Sequence, residues 1–195
     1  MPESLVIDPA RSALLIMDYQ TGIVNAYGTN QEDLLQRAAR VRRTAHDRGV
    51  QVIYVTVGFR PGYPEVSARN VSFSTIKQSN RFSGESPEPV HPAVAPESGD
   101  ITVVKHRVGA FLGTDLDMIL RAHDIDTLVL CGIATSGVVL STLRHAADAD
   151  YRCIVVRDCC ADRDAEVHAC LLDKVFPRQA TVVTSEQVLA ALGGA

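Results

Sequence analysis

The sequence predicts an α/β protein with three layers, in which helices cover both faces of an open, mostly parallel, Rossmann-like sheet of about six strands. Short apolar runs alternate with amphipathic segments along the chain, which is the order expected of strands connected by helical crossovers. The runs are rich in Val, Ile and Leu without polar alternation, as is typical of parallel strands buried on both faces. Because no linker or internal repeat divides the chain, residues 1–195 are interpreted as one domain.

Six apolar segments are predicted to be strands, because charged, glycine or turn-forming residues flank each one. Asp18 ends the first of them and Lys105 ends the third. A turn from Gly132 to Gly137 follows the fourth, with Thr135 and Ser136 as residue types that favour a helix N-cap. The predicted strands are residues 12–18, 50–57, 101–105, 127–131, 152–157 and 180–183.

Helices are predicted where apolar residues recur at helical spacing between these strands. They cover residues 31–49, residues 114–122 with Thr114 as the cap, the segment after residue 137, residues 163–176, and residues 186–192. The segment from residue 58 to residue 100 is rich in Pro, Ser, Gly and Asn, and it is interpreted as short helical turns, a lid or a subunit contact. The residues expected to face inward are Leu34, Ala38, Val41 and Ala45, then Val139, Leu143 and Ala146, then Val167, Leu171 and Val175.

Composition and charge exclude several classes of partner. The formal charge of −4 argues against nucleic acid or an anionic membrane. No apolar run approaches the roughly 20 residues of a membrane span, and no secretory signal pattern begins the sequence. The five cysteines are an odd number, which favours a reducing cytoplasm over a disulfide framework. Cys131, Cys153 and Cys170 are expected to be buried, and Cys159 and Cys160 to be packing thiols in a loop after a strand.

The carboxyl edge of the predicted sheet gathers the candidate catalytic groups. In an open parallel sheet, ligands bind at this edge, near the point where the strand order reverses. A lysine near a carboxylate favours its ionised form whereas burial opposes it, so Asp18 and Lys105 together suit acid–base chemistry. Each feature also has a plain structural interpretation: a helix-capping aspartate, a solvated lysine, and an ordinary strand-to-helix turn.

Three segments carry a resemblance to a known family. LLIMDYQ, VVKHRVGAFLGTDLDMIL and LVLCGIATSGVVLSTLRHAADADYRCIVVRDCCADRD resemble the isochorismatase-like hydrolase superfamily, which includes nicotinamidases and other cysteine amidohydrolases. The likeness spans nearly the whole chain and is weakest over residues 58–100. It implies a hydrolase that acts on a small molecule and forms a homodimer or a higher homo-oligomer.

The Asp–Lys–Cys triad of the amidohydrolases is incomplete in this chain. By the resemblance, Asp18 and Lys105 match the first two members, but Val138 stands where the nucleophilic Cys belongs. A valine has no lone pair with which to attack a carbonyl carbon. Cys131 lies on the strand before the turn, half a dozen residues from the position of the nucleophile, and is not expected to substitute. The amides around Ala134 and Val138 are expected to bind a substrate oxygen.

Isochorismatases proper resemble this chain in lacking the Cys, and the reaction attributed to them is hydrolysis of a vinyl ether. That reaction implies Asp18 as general acid and Lys105 as its cationic partner. The sequence of the turn from Ile133 to Ser136 is nearer to that of the amidohydrolases. Two alternatives therefore stay open: a C–N amidohydrolase that uses water or another thiol, and a non-catalytic relative that binds a metabolite.

Other residues of the resembling segments have weaker expected roles. Gln20, Arg60 and Phe111 are candidates for substrate binding; the Arg60 guanidinium would pair with a carboxylate and the Phe111 ring would cover a substrate ring. Arg60 is otherwise simply exposed and Phe111 a core residue. The metal-binding Asp-x-His…His cluster of many nicotinamidases has no counterpart after the second strand, where Gly58–Pro61 stand instead. No metal and no cofactor are therefore expected.

Overall fold

A computed structural model of the protein describes residues 5–27 and 31–193. Its centre is a six-stranded sheet in which every neighbouring pair is parallel, with the strand order β3-β2-β1-β4-β5-β6. This arrangement confirms the predicted α/β fold class. The strands are β1 (Ser12–Met17), β2 (Gln51–Val57), β3 (Ile101–Lys105), β4 (Thr127–Ile133), β5 (Arg152–Ala161) and β6 (Thr181–Val183).

Seven α-helices lie within the described residues, and five of them were expected from the apolar spacing. The sequence did not predict α1, and α3 lies inside the long Pro- and Ser-rich segment. None of these helices has the length and apolar character needed to cross a bilayer. They are α1 (Thr21–Ala26), α2 (Gln31–Asp47), α3 (Val71–Gln78), α4 (Leu116–Ala122), α5 (Leu140–Asp148), α6 (Ala165–Cys170) and α7 (Ser185–Ala191).

Two hydrophobic cores lie on opposite faces of the sheet, because successive side chains of a strand point to opposite sides. Leu14 and Ile16 of β1 pack in one core with the inward residues of α2 and α7. Leu15 packs in the other core with Leu120 of α4 and Leu143 of α5. The predicted inward faces of α2 and α5 are confirmed, since all seven of their expected apolar residues are buried.

The helix predicted over residues 163–176 is correct in place but wrong in its inward face. Val167 is 39% exposed and Cys170 is also exposed, while Leu172 and Phe176 are buried instead. After α6 the chain forms a π turn at Leu171–Val175. A π turn contains more residues per turn than an α-helix, so it rotates the buried face away from the spacing expected of a regular helix.

Cys159 and Cys160 belong to β5 and are buried, so placing them in a loop was wrong. The pairing of β4 with β5 shifts from Leu130↔Val155 to Gly132↔Cys160. β5 therefore has more residues than the facing part of β4, and it continues past two polar residues that marked a strand end in the sequence.

The order of the strands places a crevice between β1 and β4. From β1 the chain proceeds to β2 and β3 on one side, and it returns to β4 on the other side of β1. Met17, the last residue of β1, pairs with both Val55 and Gly132. The residues that follow β1 and β4 therefore meet at the topological switch point, where open α/β sheets bind ligands.

Candidate active site

Asp18 is the first residue after β1, and its backbone conformation turns the chain over the edge of the sheet. Its φ of 58° lies in the left-handed region, which Asp tolerates better than most residues. Its N–H donates a 2.8 Å hydrogen bond to the Val55 carbonyl, which fixes the backbone at the end of β2. The side chain is buried and lies in the crevice between β1 and β4.

A buried ion pair joins Asp18 to Lys105. The Lys105 Nζ lies 2.9 Å from the Asp18 Oδ2, and it also donates a 3.1 Å hydrogen bond to the Arg107 carbonyl. Burial raises the pKa of the Asp18 carboxyl, and the charge and hydrogen bond of Lys105 oppose that rise without cancelling it. The Asp18 Oδ1 is buried and has no hydrogen-bond partner among the described residues.

The side-chain amide of Gln20 forms hydrogen bonds with backbone groups near this pair. Its Oε1 accepts a hydrogen bond from the Val57 N–H at 2.8 Å. Its Nε2 donates to the Val57 carbonyl at 3.0 Å and to the Glu88 carbonyl at 3.1 Å. Val57 is the register partner of Lys105. The expectation that Gln20 binds substrate is therefore replaced by a structural role at the end of β2, because both ends of its amide are occupied by backbone.

The strand-to-helix turn begins two residues later than predicted, since Gly132 and Ile133 still belong to β4. The Ile133–Ala134 peptide bond is cis, and a π turn at Thr135–Val139 leads into α5. The N-cap residue is Ala134, not Thr135 or Ser136 as the residue types suggested.

The side chain of Thr135 and the backbone of Ser136 are used in contacts outside the helix. The Thr135 Oγ1 forms a 2.8 Å hydrogen bond with the His168 Nδ1, and the Ser136 N–H donates to the Asp162 Oδ2 at 2.7 Å. In the described part of the chain, no hydrogen-bond acceptor is found for the N–H of Ala134. That N–H is available to a substrate oxygen.

Val138 is the residue that the family resemblance aligns with the nucleophilic cysteine. It is buried, it lines the same cavity as Asp18 and Lys105, and it packs on the end of β4. The fit on β4 is close: a Cβ on Gly132 would lie 2.9 Å from the Val139 Cγ2 and 3.2 Å from the Val138 Cγ1. Only glycine lets the first turn after β4 pack this closely on the strand.

None of the five cysteines lines this cavity. A hydrogen bond to Cys159 and then burial raise the pKa of the Cys131 thiol. Burial alone raises the pKa of Cys153 to about 11, and burial is the main cause of the raised pKa of Cys160. Thiols with raised pKa values are poor nucleophiles at neutral pH. Cys170, the exposed thiol, lies on α6 outside the cavity.

The cavity has a volume of about 260 Å³, at the small end of the range for ligand sites. Its wall is mostly apolar, and the charged side chains in the wall are Asp18, Lys105, Arg81 and Arg163. A larger groove of about 680 Å³ lies along α2. The groove contains no buried ion pair, so the smaller cavity is the better candidate for chemistry.

Arg60 and Phe111 do not line the cavity, in contrast to the roles expected for them. The Arg60 side chain is 71% exposed and pairs with Glu65 at 2.6 Å. The ring of Phe111 belongs to the same core as Leu15 and stacks on the ring of the exposed His145 with a centroid distance of 4.4 Å. Glu65 pairs with the Arg60 guanidinium and the His145 ring stacks on Phe111, and neither partner was apparent from the sequence.

Two arginines that were not predicted from the sequence, Arg81 and Arg163, line the cavity. Arg81 follows α3 in the segment where the family resemblance is weakest, and Arg163 follows β5. Arg163 lies within the last of the resembling segments, which was the available signal for it. Among residues 5–27 and 31–193, no group of three His, Cys, Asp or Glu side chains is arranged to hold a metal ion.

Most of the chain is similar in sequence to a known protein family. The profile of the isochorismatase domain matches residues 12–187. The chain is 32% identical over 194 residues to the uncharacterized isochorismatase family protein YecD of Escherichia coli O157:H7, covering 96% of this chain and 100% of that protein. It is also 32% identical over 185 residues to a probable isochorismatase of Pseudomonas chlororaphis, covering 94% of this chain and 87% of that one.

Two solved structures share the fold over nearly the whole chain. An isochorismatase family protein from Burkholderia thailandensis superposes with a TM-score of 0.81 and 29% identity, covering 96% of this chain and 98% of its own. The N-carbamoylsarcosine amidase from Thermoplasma acidophilum superposes with a TM-score of 0.73 and 30% identity, covering 90% of this chain and 97% of its own.

Proposed function

Since the chain belongs to the isochorismatase family, whose members include hydrolases of several kinds, we propose that it hydrolyses an enol ether of a small metabolite without a covalent enzyme intermediate. Asp18 is the general acid of this reaction and Lys105 is its cationic partner. The observation that carries the proposal is the combination of a buried carboxyl whose pKa is raised with a valine in place of the nucleophile.

The proton of Asp18 has one favoured position. The Lys105 ammonium donates to the Oδ2, so this oxygen keeps its lone pairs for that contact. The Oδ1 is buried without a partner, and its carboxyl belongs to the wall of the cavity. A proton held on the Oδ1 is therefore free to be transferred to a bound molecule. Lys105 holds the carboxyl in one orientation and stabilises the carboxylate that remains after the transfer.

In the proposed reaction, the Asp18 proton is transferred to the terminal carbon of the enol-ether double bond, whose π electrons form the new C–H bond. The adjacent carbon becomes an oxocarbenium ion, stabilised by the ether oxygen. Water adds to that carbon and gives one proton back to the Asp18 carboxylate. The resulting hemiketal separates into a ketone and an alcohol as the C–O bond breaks and the hydroxyl proton is transferred to the alkoxide. No step requires a protein nucleophile.

Two further features of the cavity suit this reaction. Ala134 lines the cavity and its N–H has no acceptor among the described residues, which supports a role for this N–H in binding a substrate oxygen. The apolar wall that includes Val57, Ile133 and Val138 keeps bulk water from the oxocarbenium ion and keeps the Asp18 carboxyl poorly solvated.

Hydrolysis of a C–N bond is the second candidate function. It is favoured by the sequence of the Ile133–Ser136 turn and by the similarity to N-carbamoylsarcosine amidase. Water would have to attack directly, because the four buried thiols are away from the cavity and Cys170 is on an outer helix. This reaction needs Asp18 as a base, whereas its raised pKa favours the protonated acid.

A product screen by mass spectrometry separates the two candidates. The purified protein is incubated with a panel of enol ethers that includes isochorismate and with a panel of small amides, beside the variants Asp18→Asn and Gln187→Glu. The second variant alters an exposed helix-capping residue outside the cavity. We expect an enol ether to be cleaved by the wild type and by Gln187→Glu, and not by Asp18→Asn. Cleavage of amides alone would overturn the proposal.

A further inference from the structure

We propose that Arg81 and Arg163 bind two carboxylates of the substrate, so that the cavity selects a small dicarboxylate. This inference rests on the function proposed above, because it takes the cavity around Asp18 to be the substrate site. It names two binding residues that lie far apart in the sequence, one after α3 and one after β5.

Each guanidinium lies against an aromatic ring. The Arg81 Cζ lies 4.6 Å from the centroid of the Phe82 ring, and the Arg163 Cζ lies 4.7 Å from that of the Tyr27 ring. Contact with a ring occupies the flat face of a guanidinium and leaves its N–H donors, which lie in the plane, free to bind a carboxylate by two hydrogen bonds. The rings therefore hold the two cations in place without occupying the atoms that recognise an anion.

Neither arginine forms an ion pair within the described part of the chain. Other exposed arginines do find carboxylates: Arg60 pairs with Glu65 at 2.6 Å and Arg157 pairs with Asp173 at 3.0 Å. Other arginines also lack an ion pair in the described part of the chain, and these two differ from them in lining the cavity. Their charge is available to a ligand.

The charges in the wall match a dianion rather than a monoanion. They are the three cations Arg81, Lys105 and Arg163 and the one carboxylate of Asp18. Lys105 is already paired with Asp18 at 2.9 Å, which leaves the two guanidinium groups uncompensated. A ligand with two carboxylates would neutralise both of these exposed cations, whereas an uncharged amide or ether would neutralise neither.

Tyr27 indicates that these groups lie near one another. Burial raises the pKa of its hydroxyl; the charges of Arg163 and Arg81 oppose the rise, and those of Asp162 and Asp18 add to it. Both arginines and the proposed acid therefore act on one side chain of the wall. A dicarboxylate bound by the arginines would lie within the same small cavity as the Asp18 carboxyl.

The test is a binding measurement that needs no turnover. Isothermal titration calorimetry at fixed ionic strength measures the affinity of the intact protein for phthalate, benzoate, benzamide and inorganic phosphate. The variants are Arg81→Gln, Arg163→Gln and, as the matched control, Arg60→Gln, which removes another exposed arginine outside the cavity. We expect phthalate to bind more tightly than the other three probes. Each cavity variant should weaken phthalate about tenfold or more, and Arg60→Gln should not.

Several results would overturn the inference: no binding of phthalate to the wild type, equal affinity for phthalate and phosphate, or the same weakening in Arg60→Gln as in the cavity variants. Dicarboxylate binding that depends on both arginines, without turnover of any enol ether, would instead refute the proposed function and leave this inference standing. Turnover of an uncharged enol ether with an unchanged KM in Arg81→Gln and Arg163→Gln would refute this inference and leave the proposed function standing.

Discussion

The buried pair of Asp18 and Lys105 predicts a specific dependence of stability on pH in the variant Lys105→Met. In the wild type, burial raises the pKa of Asp18 and Lys105 opposes the rise. Methionine has a similar length and no charge, so it leaves burial unopposed. The pKa of Asp18 in the folded variant should therefore be higher still, and the carboxyl should take up a proton rather than remain as a buried, unpaired charge.

The direction in which the free energy of unfolding changes with pH follows from proton linkage. A carboxyl whose pKa is higher in the folded than in the unfolded state binds more protons when the chain is folded. The free energy of unfolding is therefore highest below the unfolded pKa of Asp18, and it falls as the pH rises towards the folded pKa. For one proton this loss is at most about 1.4 kcal/mol per pH unit.

The expected magnitude combines this slope with the cost of a broken pair. Removing one partner of a buried ion pair costs about 3–5 kcal/mol when the other partner keeps its charge. At pH 8 we expect Lys105→Met to lose stability of this order. At pH 5 protonation of Asp18 is easier, and we expect a smaller loss, because the protonated carboxyl leaves no unpaired buried charge.

Urea denaturation at pH 5, 6, 7 and 8 measures the free energies of unfolding of the wild type and of Lys105→Met. The double variant Asp18→Asn/Lys105→Met is the control, because it removes the titrating carboxyl and should differ from the wild type with a weaker and opposite pH dependence. A loss in Lys105→Met that is equal at pH 5 and pH 8 would refute the reasoning, since Asp18 would then not take up a proton.

Three further predictions test the strand-to-helix turn after β4 and the ends of two helices. Val138→Cys should add one thiol that iodoacetamide labels faster than any thiol of the wild type, because the new side chain would share a cavity with a lysine ammonium; equal labelling of Val138→Cys and Val138→Ser would contradict this. Gly132→Ala should lower the free energy of unfolding by about 1–3 kcal/mol, whereas Gly137→Ala, with its nearest contact at 3.6 Å, should lower it little; equal losses would show that packing on β4 is not close. Asp164→Ala should cost about 1 kcal/mol and Asp115→Ala less, because only the Asp164 side chain accepts hydrogen bonds at its N-cap; thermal denaturation that ranks them the other way would count against this.

The order of strands and helices could be predicted from the sequence because each element has its own apolar spacing. Asp18 and Lys105 were also accessible, since each ends a strand, and parallel strands bring their carboxyl ends to the same edge. The π turn after α6 could not be foreseen, because it alters the helical period on which the inward face was assigned. The extension of β5 was hidden by a shift of register against β4, which only the pairing of the two strands reveals.

The binding residues of the cavity were harder to predict than the reacting pair. Gln20 and Arg60 have the right chemistry for a ligand, but backbone groups occupy the first and Glu65 occupies the second. Arg81 and Arg163 gave no local signal, because what distinguishes them is their place in the wall of the cavity, which only the fold reveals. A sequence can place a charge on a loop, but the fold decides which charges remain unpaired.

Hydrolysis in D₂O tests the central claim most directly. An enol ether that the protein cleaves is incubated in D₂O, and the ketone product is examined by mass spectrometry at early times, with the unlabelled ketone and the protein as the control for exchange. Proton donation by Asp18 to carbon predicts one carbon-bound deuterium per ketone formed by the wild type, and no ketone above the background rate from Asp18→Asn. Ketone formed without carbon-bound deuterium, or formed equally well by Asp18→Asn, would contradict the proposal that Asp18 is the acid.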